Sequence, residues 1–250
     1  MLPKIGFLDT YSLCLVLGFF SAIGFVELYY RFHKLDKRLM TSLELLAVVS
    51  FVMGICFANI FQNFYDLIND PKHFSWSFNF TFYGGLIGGV TTFILGYIIF
   101  IRRIYGPCFK DVVIIAPASI AIGHAFGRIG CFMHGCCYGK PTDAWYGIKF
   151  TTTTTKVVPT NLFEAILLFV LAGILLFLAL KKWGYFNFPI YMIVYSVWRF
   201  LIEFVRGDYR GSFIPGLSPS QFWSILLFIG GVTYLVLAIV FKIKRRRLNF

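Results

Sequence analysis

Leu162-Phe-Glu-Ala-Ile-Leu-Leu-Phe-Val-Leu-Ala-Gly-Ile-Leu-Leu-Phe-Leu-Ala-Leu180 carries a single charge, Glu164. It matches the roughly 20 apolar residues that a helix needs to cross a hydrocarbon core. Comparable runs recur on both sides of it. The apolar pattern predicts seven spans, at Thr10–Tyr30, Leu43–Phe61, Tyr83–Ile101, Asp111–Phe126, Leu162–Leu180, Phe188–Val205 and Gln221–Phe241. The whole chain has 250 residues, 58% of them hydrophobic and only 14% charged. A soluble domain would need a far more polar surface. The fold class read from this pattern is an all-α polytopic membrane protein, with residues 1–250 forming one integral membrane domain. Helices suit such spans because each satisfies its own backbone in lipid.

The basic residues set an expected orientation. Arg31, Lys34, Lys37 and Arg38 follow the first span, and Arg102, Arg103 and Lys110 follow the third. Lys181 and Lys182 follow the fifth, and Lys242, Lys244, Arg245, Arg246 and Arg247 follow the seventh. These alternate connections hold fourteen of the 23 Lys and Arg residues. They should face the cytoplasm, with the N-terminus outside and the C-terminus inside. The net charge of +12 is therefore read as topology plus attraction to anionic lipid, with no nucleic-acid partner. The first run lacks a clear cleavage site and is expected to stay as a helix. On the opposite side, residues 127–161 form the longest connection, an extracytoplasmic loop. Its five threonines, Thr151–Thr155, favour extended structure and a small ribbon, or else a plain loop.

The chemistry concentrates where that loop begins. His124-Ala-Phe-Gly-Arg-Ile-Gly-Cys-Phe-Met-His-Gly-Cys-Cys-Tyr-Gly139 places an arginine, two histidines and three cysteines at the end of an apolar run. Ionisable groups at membrane depth mark a functional site by default. Arg128 follows His124 by four residues, so a continuing helix puts both on one face. A guanidinium fork suits phosphate oxygens, although an isolated arginine can equally snorkel to the interface. A second cluster lies in Tyr195-Ser-Val-Trp-Arg-Phe-Leu-Ile-Glu-Phe-Val-Arg206. Tyr195, Arg199 and Glu203 share a helical face, and Arg206 falls near it one turn later. Arginines from these two helices converging on one point would make a strong anion site.

Other polar residues have blander readings. Glu164 sits in the first turn of its helix, where the dipole favours a carboxylate, with Thr160 or Asn161 as N-cap. Tyr11 and Tyr83 suit interfacial anchoring. Cys131, His134, Cys136 and Cys137 invite zinc, but the spacing is cramped and no second ligand pair with ordinary spacing occurs, so no metal is expected. A disulfide of Cys131 with Cys136 or Cys137 suits an outward-facing loop. A reactive thiol beside Arg128 is the third option.

In this order, the motifs resemble those of the prolipoprotein diacylglyceryl transferase family of bacterial inner-membrane enzymes. The resemblance runs through Tyr11-Ser-Leu-Cys-Leu-Val-Leu-Gly-Phe19, Tyr83-Gly-Gly-Leu-Ile-Gly88, Gly127-Arg-Ile-Gly-Cys-Phe-Met-His-Gly135, Pro159-Thr-Asn-Leu-Phe-Glu164 and Tyr195 to Arg206. It implies transfer of the diacylglyceryl group of phosphatidylglycerol to the lipobox cysteine of a prolipoprotein signal peptide, with release of glycerol phosphate. It implies no cofactor. The partners implied are that lipid, those precursors and the surrounding membrane lipids, and the active site would face the extracytoplasmic side. Carried over by position, Arg128 and Arg199 hold the phosphate, with Arg206, Tyr195, Glu203, Gly139 and Cys131 around the head group. Tyr11 and Tyr83 occupy catalytic positions. The chain departs from the family pattern at Tyr83, where histidine is usual, at Cys131 and His134, where asparagine is usual, and at Cys136, where glutamate is usual. A tyrosine is a poor base near neutral pH, so His134, or else His124, is expected to replace the missing histidine. Two other readings share the scaffold: a transferase with a different acceptor, and a non-catalytic anionic-lipid-binding or transport protein.

Overall fold

The structure is a computed structural model that describes residues 4–5, 8–71, 74–79, 81–181, 183–207 and 216–248. It is almost wholly helical. The helices are α1 (Thr10–His33), α2 (Lys37–Asn69), α3 (Phe82–Gly96), α4 (Phe109–His134), α5 (Thr160–Leu180), α6 (Asn187–Ile202) and α7 (Pro219–Leu248). α3 continues through a π-helical turn, Tyr97–Ile101, and a last turn, Arg102–Tyr105. Strands are confined, among the described residues, to a two-residue ribbon pairing Lys4–Ile5 with Leu8–Asp9. Among the described residues, seven helices are long and apolar enough to cross a membrane. The chain is a multi-pass membrane protein. It divides into two compact units, His33–Lys110 and the remainder.

Within His33–Lys110, glycines set the helix spacing. A Cβ added at Gly84 would lie 2.7 Å from the Phe57 carbonyl oxygen, and one at Gly88 would lie 2.4 Å from Phe57 Cβ. The glycine-rich entry to α3 is thus a close-packing face for α2. Asn63 secures the connection between them. It donates to Ser77 O at 2.9 Å and accepts from Ser77 N at 2.8 Å.

The other unit holds α1 and α4 to α7. α1 and α4 run antiparallel, as a ladder of contacts shows. Tyr29 Oη donates to Asp111 Oδ1 at 3.0 Å, and Ser119 Oγ donates to Ala22 O at 3.3 Å. Gly18 leaves only 2.9 Å between an added Cβ and Phe126 Cβ, and Gly130 does the same against the Tyr11 ring. The inner faces are small or polar: Ala118, Ala121, Ala125, Ala165 and Ala172 are fully buried, whereas Phe20, Val170 and Phe177 are exposed towards lipid. Asn187, fully buried, ties α6 to its neighbours by donating to Ile114 O at 2.8 Å and Leu175 O at 2.9 Å.

Gly184 marks the tightest point of that junction. An added Cβ would lie 2.5 Å from Ile114 Cγ2 and 2.9 Å from Ala179 Cα, whereas at Gly173 nothing lies within 4 Å. Gly184→Ala should therefore lower thermal stability in detergent by about 1–3 kcal/mol, the usual cost of overpacking. Gly173→Ala should be neutral or slightly stabilising, because alanine is the better helix former.

Two expectations are corrected here. α4 does not stop at Phe126 but continues to His134, so the first part of the expected 127–161 loop is helical and carries Arg128 and Cys131 on a rigid element. Its stop is a Schellman turn. Gly135 takes φ 75°, its N–H bonds Phe132 O at 3.2 Å, and Cys136 N–H bonds Cys131 O at 3.1 Å. Thr151–Thr155 form turns and not a ribbon, because Thr153 Oγ1 accepts from Phe150 N at 3.0 Å and closes the chain locally. The extended pairings fall on their flanks, at Ile148 and Val157.

Candidate functional site

Glu164 is the centre of the buried polar cluster. Its side chain is 1% exposed, and one oxygen, Oε1, receives three approaches. Arg128 Nη2 lies 3.2 Å away, Tyr195 Oη donates at 3.0 Å, and His124 Nε2 lies 3.9 Å away. Arg128 Nε also donates to His124 Nε2 at 3.3 Å. The four-residue spacing of His124 and Arg128 on α4 thus acts as one unit against α5. Tyr195 packs edge-on to His124 with centroids 5.0 Å apart, and Tyr191 stacks on Tyr195 at 5.8 Å. The second carboxylate oxygen of Glu164 is buried and has no hydrogen-bond partner among the described residues. Buried polar atoms are rarely left so.

The bland reading of Glu164 is therefore overturned, and so are the proposed caps. Thr160 Oγ1 donates to Cys137 O at 2.9 Å and Asn161 Nδ2 donates to Cys136 O at 2.8 Å, so both residues hold the cysteine loop against the start of α5. The backbone cap is Pro159, without a side-chain bond. The signal for Glu164 was present in the sequence, as a lone carboxylate in an otherwise apolar span. Its partner Arg128 is remote in sequence.

The second cluster lies at the end of α6. Arg199 Nη1 and Glu203 Oε2 form an ion pair at 2.9 Å, and Arg199 Nη2 donates to Ser220 Oγ of α7 at 2.7 Å. Arg206 Nε lies 3.9 Å from the same Glu203 oxygen. Arg206 does not extend the helical face. After Ile202 the chain tightens into a 3-10 turn, Glu203–Val205, and Arg206 is extended, bridged to Gly139. Lys140 N–H bonds Val205 O at 2.9 Å and Gly139 N–H bonds Val158 O at 2.8 Å. A Cβ at Gly139 would meet Val205 O at 2.5 Å, so only glycine admits this crossing of three segments.

The two clusters are neighbours. Both Arg128 and Arg199 lie within electrostatic reach of His124 and of Tyr195. Each arginine has its own carboxylate, which offsets much of the cost of holding charge in a buried place. Arg128 is in turn within reach of Tyr11 and Cys131, so Tyr11 on α1 stands beside the same arginine.

His134 is not part of this arrangement. Six residues beyond Arg128 put it about 240° round the helix and roughly 9 Å further along. Its side chain is half exposed, and its Nδ1 lies 3.8 Å from Asp9 Oδ1. The histidine beside Arg128 is His124. Tyr83 belongs to α3, in the other unit, and its side chain lies outside the described residues.

The three loop cysteines converge. Their Sγ atoms lie within 4.8 Å of one another, and all six cysteines of the chain are free. The disulfide weighed from sequence is not formed, and Cys136 Sγ donates to Cys131 O at 3.6 Å. The spacing is cramped along the chain but not in space, because Gly135 turns the chain back and Cys137 takes a left-handed φ of 60°. Donation from Cys131 and Cys136, and then the Arg206 guanidinium, hold the Cys137 thiol well below the ordinary thiol range.

Fold and site together define a polytopic membrane protein with buried arginines that are countered by glutamates. The model of the prolipoprotein diacylglyceryl transferase family matches residues 2–237, and the chain belongs to that family. It is 31% identical to the phosphatidylglycerol–prolipoprotein diacylglyceryl transferase of Clostridium tetani over 245 residues, 95% of this chain and 93% of that one. It is 34% identical over 211 residues to the protein of Clostridium perfringens named phosphatidylglycerol–prolipoprotein diacylglyceryl transferase 2, covering 81% and 79% of the two chains. A Dehalococcoides mccartyi transferase of the same name is 26% identical over 259 residues, covering 95% and 89%.

Proposed function

We propose that the chain transfers the diacylglyceryl group of phosphatidylglycerol to the lipobox cysteine thiol of a prolipoprotein. Family membership and the names of the relatives support the reaction class. The observation that carries the reading to residues is the placement of Arg128 and Arg199, from α4 and α6, around His124 and Tyr195.

The chemistry explains why two arginines are needed. The thiolate attacks the glyceryl carbon that bears the phosphate. A carbon–sulfur bond forms, the carbon–oxygen bond to phosphate breaks, and glycerol phosphate leaves with the electron pair. The phosphodiester begins with one negative charge and the departing monoester carries two, so charge grows on the oxygens that the guanidiniums face. Donors fixed in place before reaction stabilise that growth more than they stabilise the ground state. Glu164 and Glu203 hold the arginines in position, and Tyr195 orients Glu164. As Arg128 turns to the phosphate, His124 Nε2 loses the donor it accepts from at 3.3 Å and becomes the base for the incoming thiol. Tyr11, Cys131, Gly139 and Arg206 border the head group.

The positive-inside reading of the basic connections supports an arginine cluster on the extracytoplasmic side of a bacterial inner membrane. Mass spectrometry of a lipobox peptide incubated with the purified protein and phosphatidylglycerol tests the reading. The expected product is the peptide plus one diacylglyceryl group. Lipid consumed with the peptide unmodified would mean another acceptor, and lipid bound without turnover would mean a binding protein. Either result overturns the proposal.

A further inference from the structure

The transfer reaction leaves the cysteine triad unexplained. Cys131 lies in the last turn of α4, Cys136 and Cys137 follow the turn at Gly135, and none is in a disulfide. Their sulfur atoms, all within 4.8 Å of one another, are close to the roughly 4 Å separation that three thiolates adopt around one ion with metal–sulfur bonds of about 2.3 Å.

The backbone is shaped to bring them there. Gly135 and Cys137 both take positive φ, at 75° and 60°. The second is costly for a residue with a side chain, by about 1–2 kcal/mol. Such strain persists only where the surroundings enforce it. Here they do: Thr160 and Asn161 clamp the carbonyls of Cys137 and Cys136. Thr152 Oγ1 clamps Gly135 O at 2.8 Å. Three thiolates around a divalent ion leave one net negative charge, and cations stand beside the triad. Arg206 interacts with Cys137, and Arg128 lies within electrostatic reach of Cys131 and Cys136.

We propose that Cys131, Cys136 and Cys137 form a three-thiolate site for a soft d10 cation of the zinc class, with the fourth position open. Each thiol releases its proton to solvent as its sulfur–metal bond forms, and no electron transfer is involved. Metal uptake at this site is read without any transfer activity. An odd number of thiols suits a metal better than a disulfide, which would strand one of them. Thiolates also select soft ions over the hard cations of the external medium.

The test uses the full-length protein in detergent, reduced with a non-thiol reductant, stripped with chelator and titrated with cadmium ion alone. The expected result is one equivalent bound, a sulfur-to-metal charge-transfer band of the intensity of three thiolates, and proton release. Cys131→Ser, Cys136→Ser and Cys137→Ser should each weaken binding at least tenfold and reduce the band. Cys108→Ser, in the other unit, should leave both unchanged. Melting temperatures of the variants, measured without metal, separate lost ligation from lost folding. Absence of the band at stoichiometric cadmium overturns the proposal. So does a band that survives replacement of all three cysteines, or a reduced protein that reoxidises to an internal disulfide and takes up no metal.

Discussion

Arg128→Ala lowers kcat/KM for diacylglyceryl transfer by about 10²–10³-fold, the range expected when one fixed donor to a developing oxyanion is removed. The variant also loses stability, for a separate reason. Glu164 is 1% exposed, and Arg128 is its only ionic partner among the described residues that is charged at every working pH. An uncompensated buried charge costs about 3–5 kcal/mol. The companion variant Arg128→Ala with Glu164→Gln removes that charge. It should recover much of the lost melting temperature while transfer stays low. Arg128→Lys keeps the charge but not the planar fork and should fall between. A single alanine variant that inserts, folds and transfers at the wild-type rate would remove Arg128 from the mechanism.

Arg199→Ala loses activity to a similar extent but stability to a smaller one. Its carboxylate, Glu203, keeps Arg206 Nε at 3.9 Å when Arg199 is gone. The lost bond to Ser220 unfastens α6 from α7 at one point only. If both arginines hold one phosphate, their effects are not independent. Arg128→Ala with Arg199→Ala should then be less impaired than the product of the two single losses. Strict multiplication of the two losses, measured as kcat/KM on the lipobox peptide, would mean that the arginines serve separate steps.

Much of this protein is legible without coordinates, and the reason differs from part to part. The spans are legible because lipid demands long apolar runs, and no soluble fold of this length tolerates so many. Arg128 and Arg199 are legible because charge in such runs is expensive and calls for a purpose. Glu164 was misread because the dipole of its first turn offered a sufficient local reason for a carboxylate. Its true partners, Arg128 and Tyr195, come from two other helices. Which of His134 and His124 stands beside the arginine depended on how far α4 runs, which the sequence left open. With α4 continuing to His134, the helical period turns His134 away from the arginine and keeps His124 beside it.

The amino-acid sequence by itself determined the solvent, the number of spans and the arginines, since all three follow from transfer free energy, which is local and additive along the chain. The tertiary structure alone decided which carboxylate holds which arginine, that Gly139 must be glycine where Val205 crosses it, and that three cramped cysteines meet as a cluster. Those facts depend on contacts between segments remote in sequence and on the positive φ at Gly135 and Cys137, and no periodicity encodes either.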